Sequence, residues 1–104
     1  MIDNSLITLK EKSIKNNISF LRSILGDKVK ISAVVKANAY GHGIEQIVPV
    51  FEKYGIDHFS VFYYSEAIRV YNCLSKPRSI IVMGWLCDEN IRDAIEKGIE
   101  FFVS

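Results

Sequence analysis

Four short segments of this chain space their apolar residues as strands do, and the stretches between them space theirs as helices do. Between Ser13 and Leu25 the apolar positions are Ile14, Ile18, Leu21 and Leu25, with Phe20 and Ile24 widening the stripe. Steps of four, three and four predict a helix with one buried face, and Gly26 suits a left-handed stop. Val29 to Val35 alternates instead. Val29, Ile31, Ala33 and Val35 fall on one side, and Lys30, Ser32, Val34 and Lys36 on the other, which predicts a strand. Ile44, Ile47, Val48, Phe51 and Tyr54 return to helical spacing before Gly55, and Pro49 within them predicts a kink or a late helix start. His58 to Tyr63 reads as a second strand. Ser65 can cap a helix that turns Ala67, Ile68, Tyr71 and Leu74 inward. Ser79 to Gly84 has the continuous apolar run of a strand covered on both faces. Asp88 can cap a helix with Ile91, Ala94 and Ile95 inward, ended by Gly98, and Ile99 to Val103 is a fourth strand.

Strands separated each time by one helix pair in parallel through right-handed crossovers, so the fold class is α/β. Ile99, Phe101, Phe102 and Val103 make an apolar strand that wants a neighbour or a cover. An open four-stranded sheet is one architecture that fits. The other is a run of parallel (β/α) units forming the first half of a TIM-type (β/α)8 barrel, which takes about 250 residues when whole. In that second reading residues 1–104 are the N-terminal part of a barrel domain.

Charge and composition remove several functions. With 13 Lys and Arg against 12 Asp and Glu, the chain has no excess of basic charge for a nucleic acid or an anionic membrane to meet. No apolar run approaches the roughly 18 residues of a membrane span, and MIDNSLITLKEK lacks the basic start and apolar block of a signal peptide. Cys73 and Cys87 form neither a metal spacing nor a disulfide framework, so no metal is expected and a cytoplasmic location is the default.

One stretch departs from core building: AVVKANAYGHG, Ala33 to Gly43. Lys36 lies at the carboxyl end of a strand, where parallel α/β folds bind their ligands. Gly41 and Gly43 let backbone approach a bulky partner, Tyr40 offers a hydroxyl, and Ile44 opens a helix whose free N–H groups favour an anion. By itself a lysine in that position is commonly a solvated strand cap; with these neighbours, it can also hold a phosphorylated carbonyl cofactor.

VVKANAYGHG resembles the pyridoxal-phosphate lysine motif of bacterial alanine racemases, which follows the first core strand of their barrel. SEAIRVY resembles the family's EA-rich helix. ITLKEKSIKNNISFLRSIL resembles its opening strand and helix, with Asn17 at the usual asparagine; Leu9 and Lys10 depart from the family's V-D-L-like string. FSVFYY and VMGWLCDEN match more loosely.

The resemblance implies a barrel followed by a C-terminal β domain that this chain does not include. It implies pyridoxal 5'-phosphate as cofactor, held as a Schiff base by Lys36, with Tyr40 contacting it at the phosphate. It implies an amino-acid substrate, interconversion of L- and D-alanine for peptidoglycan, and a homodimer in which a tyrosine from the partner's C-terminal domain serves the opposite face of the substrate. Lacking that group, the 104 residues alone are expected to turn over little or no alanine. Related readings are a serine or broad-specificity racemase and a non-catalytic barrel protein that binds pyridoxal phosphate. The remaining notable side chains have structural readings: His42 as a loop hydrogen bonder, His58 as part of a strand, Trp85 as packing at the barrel top, Cys73 as a small buried group and Cys87 as an inert loop thiol.

Overall fold

The computed structural model describes residues 4–37 and 43–103, with residues 4–9 as backbone only. The chain divides into two units, residues 1–30 and 31–104.

The first unit is the helix α1, Asn4–Leu25. It ends at Gly26, whose φ of 81° is the left-handed conformation a glycine adopts without strain and whose N–H reaches Arg22 O at 2.9 Å. The Arg22 guanidinium donates to the carbonyls of Gly26 and Val29, drawing the chain back over the helix end. The expected opening strand is absent: ITLK continues the helix. A strand needs a second strand to pair its backbone, whereas a helix pairs its own, and among the described residues the first ladder begins only at Ser32. The predicted stripe is only partly covered. Ile18 is buried and Ile14 half-buried, but Phe20, Leu21, Ile24 and Leu25 are exposed.

The second unit alternates strand and helix: β1 Ser32–Val34, α2 Ile44–Lys53, β2 His58–Val61, α3 Tyr64–Cys73, β3 Ser79–Val82, α4 Asp88–Lys97 and β4 Glu100–Phe101. The four strands form one sheet in the order β1-β2-β3-β4, and every pair is parallel. This is the expected α/β class of successive (β/α) units. A sheet that always steps the same way through right-handed crossovers carries its helices on one face. The burial agrees. Ala33, Val35, Phe59, Val61, Ile80 and Val82 are buried on that face, while Val34 is 57%, Phe62 50% and Met83 41% exposed on the other. β3 is therefore covered on one side only within this unit, not on both as its apolar run suggested.

Ile44, Ile47 and Val48 of α2 are buried, with Phe51 edge-on to Phe59 at 6.4 Å between ring centroids. The helix starts at Ile44 despite Pro49, so its start is not delayed; the missing N–H of Pro49 forgoes the bond to the Glu45 carbonyl one turn back. In α3 the buried residues are Glu66, Ala67 and Val70, and Tyr71 points outward. In α4 only Ala94 is buried and Ile95 is exposed. α4 ends at Gly98 in the left-handed region, φ 71°, as its position predicts.

Candidate active site

Lys36 stands two residues past the end of β1, at the carboxyl end of the sheet. Period-two alternation puts it with Val34 on the face without helices, and it is exposed there. The chain before it is fixed: Val35 N–H donates to Ser60 O at 2.9 Å, extending the β1–β2 ladder by one bond, and the Val35 side chain is buried. Lys36 makes no hydrogen bond or ion pair with another described residue. Tyr40 and His42, the other expected members of the motif, lie outside the described residues.

The chain after Lys36 is held by a residue that the sequence pattern did not single out. Glu66 is 6% exposed and accepts three backbone hydrogen bonds. One carboxylate oxygen takes Phe62 N–H at 3.1 Å and Tyr63 N–H at 2.8 Å; the other takes Ala37 N–H at 2.9 Å. The first two satisfy donors at the start of α3, where a carboxylate also meets the positive end of the helix dipole. The third reaches across to the peptide that follows Lys36. Glu66, and not Ser65, therefore caps α3, from the third position of the helix. The signal in the sequence was an acid placed just after a strand end, at the third residue of the predicted helix start.

Next to the lysine loop, α2 begins after Gly43. Gly43 N–H is taken by Gln46 Oε1 at 3.2 Å, so one of the donors expected to favour an anion is satisfied within the helix. Above this turn Arg69 of α3 grips Glu45 with two bonds, Nε to Oε2 at 2.8 Å and Nη2 to Oε1 at 2.6 Å. Those bonds hold the Glu45 carboxyl down at about 2. A Cβ on Gly43 would stand 3.2 Å from both Arg69 Nη2 and Glu45 Oε1, so the pair closes tightly over the glycine.

Farther along the same sheet edge, Phe62, Met83, Gly84, Trp85, Asp88 and Phe102 line an open cleft of about 570 Å³. Its floor is close-packed at one point. Met83 and Gly84 donate in succession to the carbonyls of Val61 and Phe62, at 2.8 and 3.0 Å, which draws the end of β3 onto the end of β2.

A family model described as alanine racemase, N-terminal domain, matches residues 9–104. The chain belongs to the alanine racemase family. It is 37% identical over 82 residues to a serine/alanine racemase of Enterococcus gallinarum, which covers 78% of this chain and 12% of that protein. It is 33% identical over 91 residues to an alanine racemase of Corynebacterium glutamicum, covering 88% of this chain and 25% of that one. A crystal structure of alanine racemase from Bacillus anthracis with bound L-Ala-P superposes with a TM-score of 0.77 at 27% identity, over 89% of this chain and 24% of the other. The chain thus spans about a quarter or less of the length of these relatives.

Within this racemase-family fold the other singled-out side chains fall into place. His58 has a partner the sequence did not show: its Nδ1 lies 2.6 Å from Ser32 Oγ, which lies 2.6 Å from Ser60 Oγ, a polar chain at the amino end of the sheet, away from Lys36. Trp85 is 89% exposed along the cleft, not buried in packing as expected. Cys73 is half-buried on α3, and burial raises its thiol above the ordinary range. Cys87 occupies the cap position of α4 that Asp88 was expected to fill, and accepts from Asn90 Nδ2 at 3.1 Å. Among the described residues no group of His, Cys, Asp and Glu could hold a metal ion.

Proposed function

We propose that this chain supplies the lysine half of a pyridoxal-phosphate-dependent alanine racemase, with Lys36 as the residue that holds the cofactor. The observation that carries this reading is the setting of Lys36: a primary amine on the open face, at the carboxyl end of the first parallel strand, anchored on both sides by backbone bonds. The residues present suit the group. The amine is exposed, has no competing partner among the described residues, and stands beside a strand end that bears the exposed apolar ring of Phe62.

Bound there, pyridoxal phosphate supplies the electron sink that lets an α-proton leave. Lys36 would hold the cofactor through its amine and would move a proton on one face of the substrate's α-carbon. Tyr40, four residues on, is assigned to the cofactor phosphate. The opposite face needs a second acid/base group, assigned to a tyrosine of a partner subunit's C-terminal domain in a homodimer. On this reading the intact enzyme works in the cytoplasm and makes D-alanine for peptidoglycan, and the 104 residues alone do not racemise alanine. The 37% identity to a serine/alanine racemase supports a second reading, in which serine is also a substrate.

The test is reductive capture. The chain is incubated with pyridoxal phosphate, reduced with borohydride and digested, and the modified peptide is located by mass spectrometry. The label is expected on Lys36 in preference to the twelve other Lys and Arg side chains, of which only the lysines can react. Labelling spread evenly over the lysines, or absent from Lys36, refutes the assignment.

A further inference from the structure

Lys36 lies in the short interval between two anchors, and the second of them is a side chain. The ladder bond of Val35 fixes the residue before it. Beyond it, the only bond among the described residues that holds the peptide is Ala37 N–H to Glu66 Oε2 at 2.9 Å. The same carboxylate is tied by its other oxygen to Phe62 N–H and Tyr63 N–H, between β2 and α3. A nearly buried carboxylate that accepts three backbone N–H groups is held by charge-assisted bonds, which are stronger and shorter than neutral ones. The bridge spans 29 residues of sequence, from the lysine loop to the start of the second helix of the sheet unit.

We infer that Glu66 is the positioning residue for Lys36: by clamping the Ala37 peptide to the start of α3, it fixes the direction in which the lysine leaves the sheet. The inference rests on the assignment of Lys36 to the cofactor, and adds to it a residue that touches neither cofactor nor substrate. The chemistry needs all three bonds at once. Glutamate offers acceptors on both oxygens, and glutamine does not. In a Glu66→Gln chain one end becomes an NH2 donor, which must face either Ala37 N–H or the N–H groups of Phe62 and Tyr63 just before α3. The helix side has two bonds to keep, so the amide turns its NH2 to Ala37 and the clamp opens.

Three chains decide it: unchanged, Glu66→Gln and Glu66→Asp. The aspartate keeps the charge at the helix start but is one carbon shorter, and so cannot also reach Ala37; it keeps the test valid should the glutamine chain fail to fold. Glu52→Gln, which breaks a different buried carboxylate on α2 and β3's approach, serves as the control for lost stability alone. Two readouts are taken. Hydrogen exchange of the Ala37 amide, read by NMR without any cofactor, should accelerate at least about tenfold in both Glu66 variants and not in Glu52→Gln. The rate of borohydride-trapped pyridoxal phosphate labelling at Lys36 should fall about tenfold in the same two variants relative to the other lysines. In that labelling Lys36 Nζ adds to the cofactor aldehyde, water leaves, and borohydride delivers hydride to the carbon.

An Ala37 amide that exchanges freely in the unchanged chain overturns the inference, because there is then no clamp. An amide released by the variants with Lys36 labelling unchanged also overturns it, because the clamp then does not position the lysine. Absence of label on Lys36 in the unchanged chain defeats the cofactor assignment and with it the positioning role toward that group, while protection of Ala37 lost on Glu66→Gln would still establish the clamp itself.

Discussion

Gly84 is required by a neighbour's backbone, not by its own conformation, and replacing it with alanine tests the close packing where β2 and β3 end. In a regular parallel ladder alternate residues of a strand face a given neighbour. Here Met83 and Gly84 both donate to the end of β2, to Val61 O and to Phe62 O just past it. A Cβ built on Gly84 would stand 2.4 Å from the Phe62 carbonyl oxygen and 3.2 Å from two carbons of its ring. Carbon-to-oxygen contacts settle near 3.3 Å, so the two strand ends must part by about 0.9 Å. That opens the 3.0 Å bond from Gly84 N–H, at about 1 kcal/mol, and adds overpacking of about 1–3 kcal/mol. Gly84→Ala should therefore lose about 2–4 kcal/mol, or roughly 10–20 °C in Tm for a chain of this size. Urea unfolding followed by far-ultraviolet circular dichroism measures it, with an unchanged dependence on urea showing that the unfolded state is not the cause. A loss below about 0.5 kcal/mol would mean that the strand ends are not in contact as described, and the cleft they border would have a different floor.

Gly98 gives the contrasting case: nothing lies within 4 Å of a Cβ there, but φ is 71°, so Gly98→Ala should cost only the left-handed strain of about 1–2 kcal/mol, measured in the same unfolding experiment. Glu52 sets an acid limit. Burial pushes its carboxyl up, but hydrogen bonds from Arg78 Nε at 2.6 Å and from the Ser75 hydroxyl and N–H outweigh it and hold the group below the ordinary range. A folded value below the unfolded one contributes stability that is complete at neutral pH and is lost as pH falls through the folded value. Glu52→Gln should lower stability at pH 7 by about 3 kcal/mol and flatten its decline as pH falls below the ordinary carboxylate range, as read from unfolding curves on the acid side; an equally steep acid decline in the variant would assign the loss to other carboxylates.

The strands and the lysine were legible because their signals are local. Alternation from Val29 to Val35 assigned Lys36 to the same side as Val34, and that side is the exposed one. The glycine stops at Gly26 and Gly98 were legible for the same reason, since a positive φ is a property of one residue. Glu66 was not, because its partners are peptide N–H groups, present at every residue, and only the fold brings Ala37 within reach of it. Ser65 is not the cap because the helix begins one residue before it, at Tyr64, which puts Tyr63 at the cap position and Glu66 where its carboxylate takes the Tyr63 N–H. The helix phases held for α2 and missed at single positions of α3 and α4, Tyr71 and Ile95, in a related way. Apolar spacing in α3 admits either Tyr71 or Val70 inward, and the sheet accepts the smaller β-branched residue at the inner position while the phenol stays at the surface. In the opening segment ITLK, a strand only by the resemblance, folds as helix, because a strand exists only where a neighbour pairs with it.

The strand order has a consequence for how the sheet can be made. Each strand pairs with the one before it in the chain: Ser32 with His58, His58 with Ser79, Ile81 with Glu100. After β1, none has to wait for a segment still to come. A ribosome releasing this sheet hands over every new strand after its template is already complete, so the edge that receives the next unit always exists before that unit does. Growth of this kind needs only loops of similar, modest span to close, which keeps the entropic barrier of each addition nearly constant along the chain.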